Sequence, residues 1–444
     1  MRISLNRYTF ARAVADNAIF YNSRSEACLA IDGGSVIMEA LTRNSRSIED
    51  VLADIAQSVN IPFVRSELDF KPLIIEMAEE GLLDVVREPM QEEIAMQKMS
   101  SEVAIIDNEK NTLSEFYTKH QLLLSLHIDI TSNCNERCVH CYIPGHEQKY
   151  LPYESIAEVL SDFRAMNGMT VYVSGGECMT HPDFERILRK CRELDFNIIV
   201  LSNLSLCTQR HIELLKEIGP QYVNVSLYST KSNEHDSITT IPGSWQRTMD
   251  SILACEQAGV DIRLAAPLLR INRHAFADLK AFAVSHNMHL VPDFNIISRS
   301  NHDCSNLQYA CTANELEETL RANRNIFDLG WAGICRDDPE ATLCDIGRYR
   351  IHLNANGDFY PCPSMYGYVL GNLKETTLGE VWRGQKLEYL RSLRWKHMGE
   401  CIRCEHRQFC EPCLAYNFNA TGDMFKTIPE KCQMSSIVHS VYGD

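Results

Sequence analysis

The chain has 444 residues, enough for two or three domains, and its 45% hydrophobic and 23% charged residues are globular proportions that exclude wholesale disorder. Acidic residues outnumber basic ones, 59 to 43, and the formal charge of −16 argues against a nucleic-acid partner. No apolar run approaches the ~20 residues of a membrane span, and Arg2, Arg7, Arg12 and Asp16 interrupt the start of the chain where a signal peptide needs an apolar core. The expectation is a cytoplasmic protein with no membrane partner. Residues 1–87 read as one unit: β-leaning pieces at Ala18–Tyr21 and Cys28–Ile31, then helical patterns over Ser35–Leu41, Ser47–Val59 and Arg65–Gly81. Ser47 with Asp50 predicts an N-cap with an acidic first turn, and Gly81 a C-cap. No catalytic cluster falls here, and the residues alone describe a small helical accessory domain.

A charged, Met- and Glu-rich linker over 88–119 leads into a second unit, 120–329, where strands and helices alternate. The predicted strands are Leu122–Thr131, Met169–Ser174, Asn197–Ser202, Gln221–Tyr228, Asp261–Leu268 and His289–Ile297. The helices between them are Tyr153–Met166, Pro182–Leu194, Gln209–Ile218, Ser244–Ala258 and Ala275–His286. This is an α/β pattern. It predicts a parallel sheet with right-handed crossovers, open or closed into a partial barrel, with its chemistry at the carboxyl ends of the strands. Residues 330–444 lose the alternation and are dense in Cys, Gly and Pro, so this unit is expected to be held by ligands more than by a large core.

The 18 cysteines concentrate in two places. In a reducing compartment, clustered cysteines read as metal ligands. Cys134, Cys138 and Cys141 follow the first core strand directly. Three thiolates within eight residues can hold one face of an iron–sulfur cubane and leave one iron open, the mark of a catalytic metal site. The competing reading is a zinc knuckle completed by His140 or His146. Eight more cysteines lie between Cys335 and Cys432, including the close pairs Cys401/Cys404 and Cys410/Cys413; soft four-sulfur sites there suit either iron–sulfur clusters or zinc.

The spacing Cys134-x3-Cys138-x2-Cys141 after the first strand of a six-strand α/β unit resembles the radical S-adenosylmethionine (radical SAM) family. The resemblance covers about residues 120–300 and implies a partial (β/α)6 TIM barrel. It implies a 4Fe-4S cluster on the three cysteines, with S-adenosylmethionine chelating the fourth iron. His140 then stands where the family has an aromatic residue beside the adenine. Ser174-Gly175-Gly176-Glu177 resembles the family's Gly-Gly-Glu segment, whose carbonyls and carboxylate receive the cofactor's ammonium. The family's proline after that segment is here Cys178, a candidate hydrogen donor or plain packing. Asn203 and Ser226, at the ends of the next two strands, fall where ribose and carboxylate contacts tend to lie.

Beside such a core, the C-terminal cysteines resemble the SPASM extension with two auxiliary 4Fe-4S clusters, including Gly357 ahead of Cys362. The likeness implies one set of Cys335, Cys344, Cys362 and Cys413 and another of Cys401, Cys404, Cys410 and Cys432. The two residues between Cys410 and Cys413 depart from the usual three. Residues 1–87, with Leu29–Leu41, Ser47–Leu52 and Glu79–Leu83 as the best local matches, resemble a winged-helix, PqqD-like RiPP recognition element. Such modules bind a leader peptide as an added strand, here between Cys28–Ile31 and Leu68–Glu79. Together these resemblances imply a radical enzyme acting on a ribosomally made precursor peptide, fed by an electron donor such as a flavodoxin or ferredoxin. Crosslinking, carbon–carbon or thioether, is the leading expectation. Epimerisation, backbone excision and side-chain oxidation are the alternatives within the class, and a non-catalytic iron–sulfur or zinc scaffold is the alternative outside it.

Overall fold

The structure, a computed structural model, describes residues 1–14, 17–86, 113–143, 148–299, 301–327, 338–410 and 412–443. Most of the predicted linker, together with His146 and Cys335, lies outside the described residues. The chain forms two compact units. One is Met1–Leu124 with Asn167–Met169 and Asp195–Asn197. The other is Ser125–Met166, Thr170–Leu194 and Ile198–Asp444.

The first unit holds two small antiparallel sheets. In one, β1 (Arg2–Leu5) lies between β5 (Arg46–Ser47) and β6 (Leu83–Val86); the other is the meander β2 (Thr9–Val14), β3 (Asn17–Asn22) and β4 (Cys28–Asp32). Helices α1 (Ser35–Ala40), α2 (Ile48–Ser58) and α3 (Phe63–Glu79) pack on them through a core that includes Phe20, Ile31, Ile37, Ile55, Ile74 and Met77. The Ser47 hydroxyl accepts from the Asp50 N–H at 3.0 Å, capping α2. Gly81, at φ +72°, turns the chain after α3. Strands β1, β2, β5 and β6 escaped the sequence reading. Arg12 reads as a solvent-facing position in β2 yet is fully buried, so the apolar alternation is masked. A short helix, α4 (Leu113–Lys119), follows.

The second unit is built on a nine-stranded sheet. Strands β7 (Ser125–Thr131), β8 (Thr170–Gly175), β9 (Asn197–Ser202), β10 (Tyr222–Ser226), β11 (Ile262–Pro267) and β12 (His289–Asp293) run parallel in sequential order. Helices α5 (Tyr153–Ala165), α6 (Phe184–Glu193), α7 (Gln209–Ile218), α8 (Ser232–Thr239), α9 (Ser244–Gln257) and α10 (Phe276–Ser285) connect them, giving the partial barrel expected from the pattern. Successive residues of β7 alternate faces: Leu126, Ile128 and Ile130 are fully buried on one, while His127 and Asp129 lie on the other. Along β8, Tyr172 and Ser174 share that polar face, in register with His127 and Asp129. Helix α8 was not predicted, because SNEHDSIT carries no apolar period.

The cysteine-rich end is more regular than its composition suggested. After α11 (Ala313–Ala322), β13 (Arg350–Leu353) pairs parallel with β7, and β14 (Asp358–Tyr360) and β15 (Gly371–Asn372) extend the sheet antiparallel. Helices α12 (Leu378–Trp382), α13 (Gln385–Ser392), α14 (Leu414–Thr421) and α15 (Pro429–Tyr442) complete it. Thr312 with Glu315 and Thr377 with Glu380 form capping boxes at the starts of α11 and α12, signals present in the sequence and not used. No helix among the described residues is long and apolar enough to cross a membrane.

Candidate functional site

Cys134, Cys138 and Cys141 sit on the loop leaving β7, partly exposed and in no disulfide. The loop is tied to the end of α8: the Arg137 N–H donates to the Thr239 carbonyl at 3.0 Å and the Val139 N–H to that of Ile238 at 2.9 Å. Burial pushes the Cys134 thiol up to about 12 and those of Cys138 and Cys141 upward, and Cys138 feels both of the others. As thiols they are neutral; binding metal means surrendering protons, the usual linkage at thiolate sites.

The Gly175-Gly176 pair closes on this loop. A Cβ on Gly175, at φ +141°, would stand 2.3 Å from the Thr131 carbonyl oxygen, and one on Gly176 2.4 Å from that of Asn133. The Gly176 and Glu177 N–H groups donate to those same two carbonyls at 2.9 and 2.8 Å. The glycines are therefore required first by the approach of β8's end to the cysteine loop, before any ligand is considered.

Glu177 is fully buried, and its carboxylate locks β8 to β9. Oε1 accepts from the Met179 N–H at 3.0 Å and the Ser202 hydroxyl at 2.7 Å, and Oε2 from the Asn203 N–H at 2.7 Å. Three strong donors fill three of roughly four acceptor positions, leaving Oε2 able to take one more. Asn203 reaches the Asn135 side chain at 3.0 Å, so the end of β9 touches the cysteine loop as well. Ser174 is buried at the end of β8, and Ser226 hydrogen-bonds the Tyr228 side chain. His140 is held neutral, burial pushing it down to about 4. Its Nδ1 is buried with no hydrogen-bond partner among the described residues, the kind of vacancy a ligand edge fills.

Cys178 adjoins the Glu177 carboxylate, its Sγ 3.6 Å from Oε1. It lies in the short turn after Glu177, fully buried, with its thiol donating to the Leu201 carbonyl at 3.3 Å.

The sequence reading missed a network on the polar face of β7. His352 Nε2 lies 3.0 Å from Asp129 Oδ2, His127 Nε2 lies 3.5 Å from Oδ1, and the Tyr366 hydroxyl donates to Oδ2. Burial alone would raise the Asp129 carboxyl, but the histidines outweigh it and hold it well below the usual range. The signal was the alternation in SLHIDIT, which sets His127 and Asp129 opposite an apolar face; the partners arrive from more than 200 residues away. The three side chains could also ligate a metal, their ligand atoms lying within 4.8 Å of one another. His352 Nδ1 is buried with no partner among the described residues, however, which leaves a metal-bound ring without its usual supporting acceptor. We expect Asp129→Asn to cost about 1.5–3 kcal/mol at pH 7, because charge-assisted bonds become neutral ones. A depressed folded pKa makes its stabilisation present above the unfolded carboxylate pKa and lost as pH falls. The gap between wild type and variant should therefore shrink below about pH 4, as urea unfolding at a series of pH values will read.

The C-terminal thiols fall into two sets. Cys344, Cys362 and Cys413 lie within electrostatic reach of one another, as do Cys401, Cys404, Cys410 and Cys432. Cys362 follows β14, and its charge is felt at Tyr142, the neighbour of Cys141. Cys413 accepts from the Tyr416 N–H at 3.4 Å at the start of α14.

Comparison with known proteins agrees with this geometry. Residues 128–283 match the radical SAM superfamily, and residues 344–405 match SPASM, an iron–sulfur cluster-binding domain. The chain carries a radical SAM domain followed by a SPASM domain, the make-up of a radical SAM enzyme. The first domain binds a 4Fe-4S cluster and S-adenosylmethionine, and the second binds auxiliary iron–sulfur clusters. The chain is 24% identical over 329 residues to an AdoMet-dependent heme synthase of Nitratidesulfovibrio vulgaris, covering 66% of this chain and 88% of that protein. It is 24% identical over 311 residues to the antilisterial bacteriocin subtilosin biosynthesis protein AlbA of Bacillus subtilis, covering 66% and 67%. Streptococcus suis SuiB bound to precursor peptide SuiA superposes with a TM-score of 0.62 at 15% identity, covering 98% of this chain and 100% of that one. The anSMEcpe structure with bound AdoMet gives 0.55 at 16% identity, covering 72% and 93%. These structural likenesses establish the fold.

Proposed function

We propose that this enzyme modifies a ribosomally made precursor peptide by radical chemistry and joins two of its side chains. The observation carrying this reading is the pairing of two thiol centres on one sheet: β13 pairs with β7, and Tyr142, next to Cys141, meets the ring of Tyr366, four residues after Cys362, at 5.7 Å. Cys134, Cys138 and Cys141 would hold the cluster, with His140, Glu177, Asn203 and the Gly175-Gly176 carbonyls around S-adenosylmethionine. Bound and reduced, that pair supplies a 5′-deoxyadenosyl radical able to take a hydrogen from an unactivated C–H bond. Joining two side chains removes two hydrogens in all, so a second electron and a proton must also leave the peptide. The set of Cys344, Cys362 and Cys413, with Cys335, would hold the electron acceptor, and Cys401, Cys404, Cys410 and Cys432 a further cluster.

The first unit fits a leader-binding element. Strand β4 ends its sheet among the described residues, and α3 leaves Val64 and Leu68 exposed one turn apart. An unpaired strand edge can take an added peptide strand, and an apolar helix face can hold its side chains. The similarity to SuiB and AlbA supports a peptide substrate. Epimerisation needs a thiol to return a hydrogen, and Cys178, beside the Glu177 carboxylate, is its candidate donor. The test is anaerobic incubation with S-adenosylmethionine, dithionite and candidate precursor peptides taken from the reading frames that flank the gene. A product lighter by two hydrogens whose fragmentation shows two residues joined supports crosslinking, whereas the same loss confined to one residue marks side-chain oxidation. An unchanged mass with a hydrogen drawn from solvent supports epimerisation and overturns crosslinking.

A further inference from the structure

Tyr228 lies two residues beyond β10, fully buried in contact with the cysteine loop. Its hydroxyl is 3.5 Å from Cys138 Sγ, a contact in which either atom could donate while both carry protons. Metal ligation removes that ambiguity: a cysteine bound to iron is a thiolate with no proton, so only the phenol can donate. The same step changes what the other polar neighbour of this sulfur can do as a carboxylate. Glu136 Oε2, at 3.7 Å, now accepts from the thiol and has nothing to accept from a thiolate. The Ser226 hydroxyl also bonds the phenol, and donating there leaves the phenol proton free for the sulfur.

The phenol is also held in place. The Tyr228 carbonyl accepts from Asn272 Nδ2 at 2.9 Å, and its N–H donates to His235 Nδ1 at 3.3 Å. Its ring meets His140 edge-on, centroids 5.2 Å apart. The hydroxyl cannot swing away without disturbing the residue beside the third cysteine.

We infer that Tyr228 is a positioning residue that donates a hydrogen bond to the Cys138 thiolate and raises the reduction potential of the catalytic cluster. Donors to cluster sulfurs spread the added charge of the reduced state, which favours reduction. The inference rests on Cys138 being a cluster ligand.

The test compares reconstituted wild type with Tyr228→Phe, which keeps the ring and its contact with His140 and removes only the hydroxyl. Both are titrated by EPR, following the signal that S-adenosylmethionine perturbs. We expect unchanged iron content and a midpoint shifted to more negative potential, so that less of the cluster is reduced at a fixed applied potential. An unshifted midpoint at full iron content overturns the inference, as does loss of one cluster's iron, which would make the hydroxyl an assembly element. Cys138→Ala separates the two layers: if it keeps all its iron, the ligand assignment falls, and the inference with it.

Discussion

Glu177→Ala is expected to cost the apoprotein about 3–5 kcal/mol, the scale for removing one member of a buried charged network. The carboxylate is the shared acceptor of the Met179 N–H, the Ser202 hydroxyl and the Asn203 N–H, which join the end of β8 to the end of β9. Burial pushes its pKa up, and those donors pull it back. Truncation strands three buried donors at about 1–3 kcal/mol each before relaxation. Asn203, which also reaches Asn135 on the cysteine loop, loses its anchor, so S-adenosylmethionine affinity should fall together with stability. Urea unfolding should show a lower midpoint at an unchanged slope. A loss under about 1 kcal/mol would mean that the loop is held by other contacts, the glycine packing foremost.

The second large effect separates the two thiol centres. Replacing Cys344, Cys362 and Cys413 by Ala should leave S-adenosylmethionine cleavage within a few-fold of wild type and abolish the two-hydrogen loss from the peptide. Radical generation needs only the loop after β7, whereas completing a bond between side chains also needs somewhere for an electron to go. The two loops approach each other through Tyr142, next to Cys141, and Tyr366, four residues after Cys362, whose rings lie 5.7 Å apart. The measurement is the ratio of 5′-deoxyadenosine formed to peptide converted, which should rise steeply as turnover becomes unproductive. Full peptide conversion in this variant would remove the C-terminal set from the reaction and favour redox-neutral chemistry.

The parallel core was legible because its strands are short apolar runs between amphipathic helices, and β9 and α7 fall at their predicted bounds. The cysteine loop and Gly175-Gly176 were legible because their spacing is local. What the sequence hid is long-range or disguised. Arg12 makes a buried strand look solvent-facing, and His352 and Tyr366 meet Asp129 only because β13 pairs with β7. Tyr228 carries no motif at all. Its contact with Cys138 exists because α8 and the end of β10 fold against the cysteine loop.

Iron and acid-labile sulfide content after anaerobic reconstitution tests the central claim most directly, on the intact chain and on Cys134/Cys138/Cys141→Ala. One catalytic and two auxiliary cubanes predict about twelve irons per chain, falling to about eight in the triple variant. Zinc in place of iron, or a triple variant that loses none, would contradict the account.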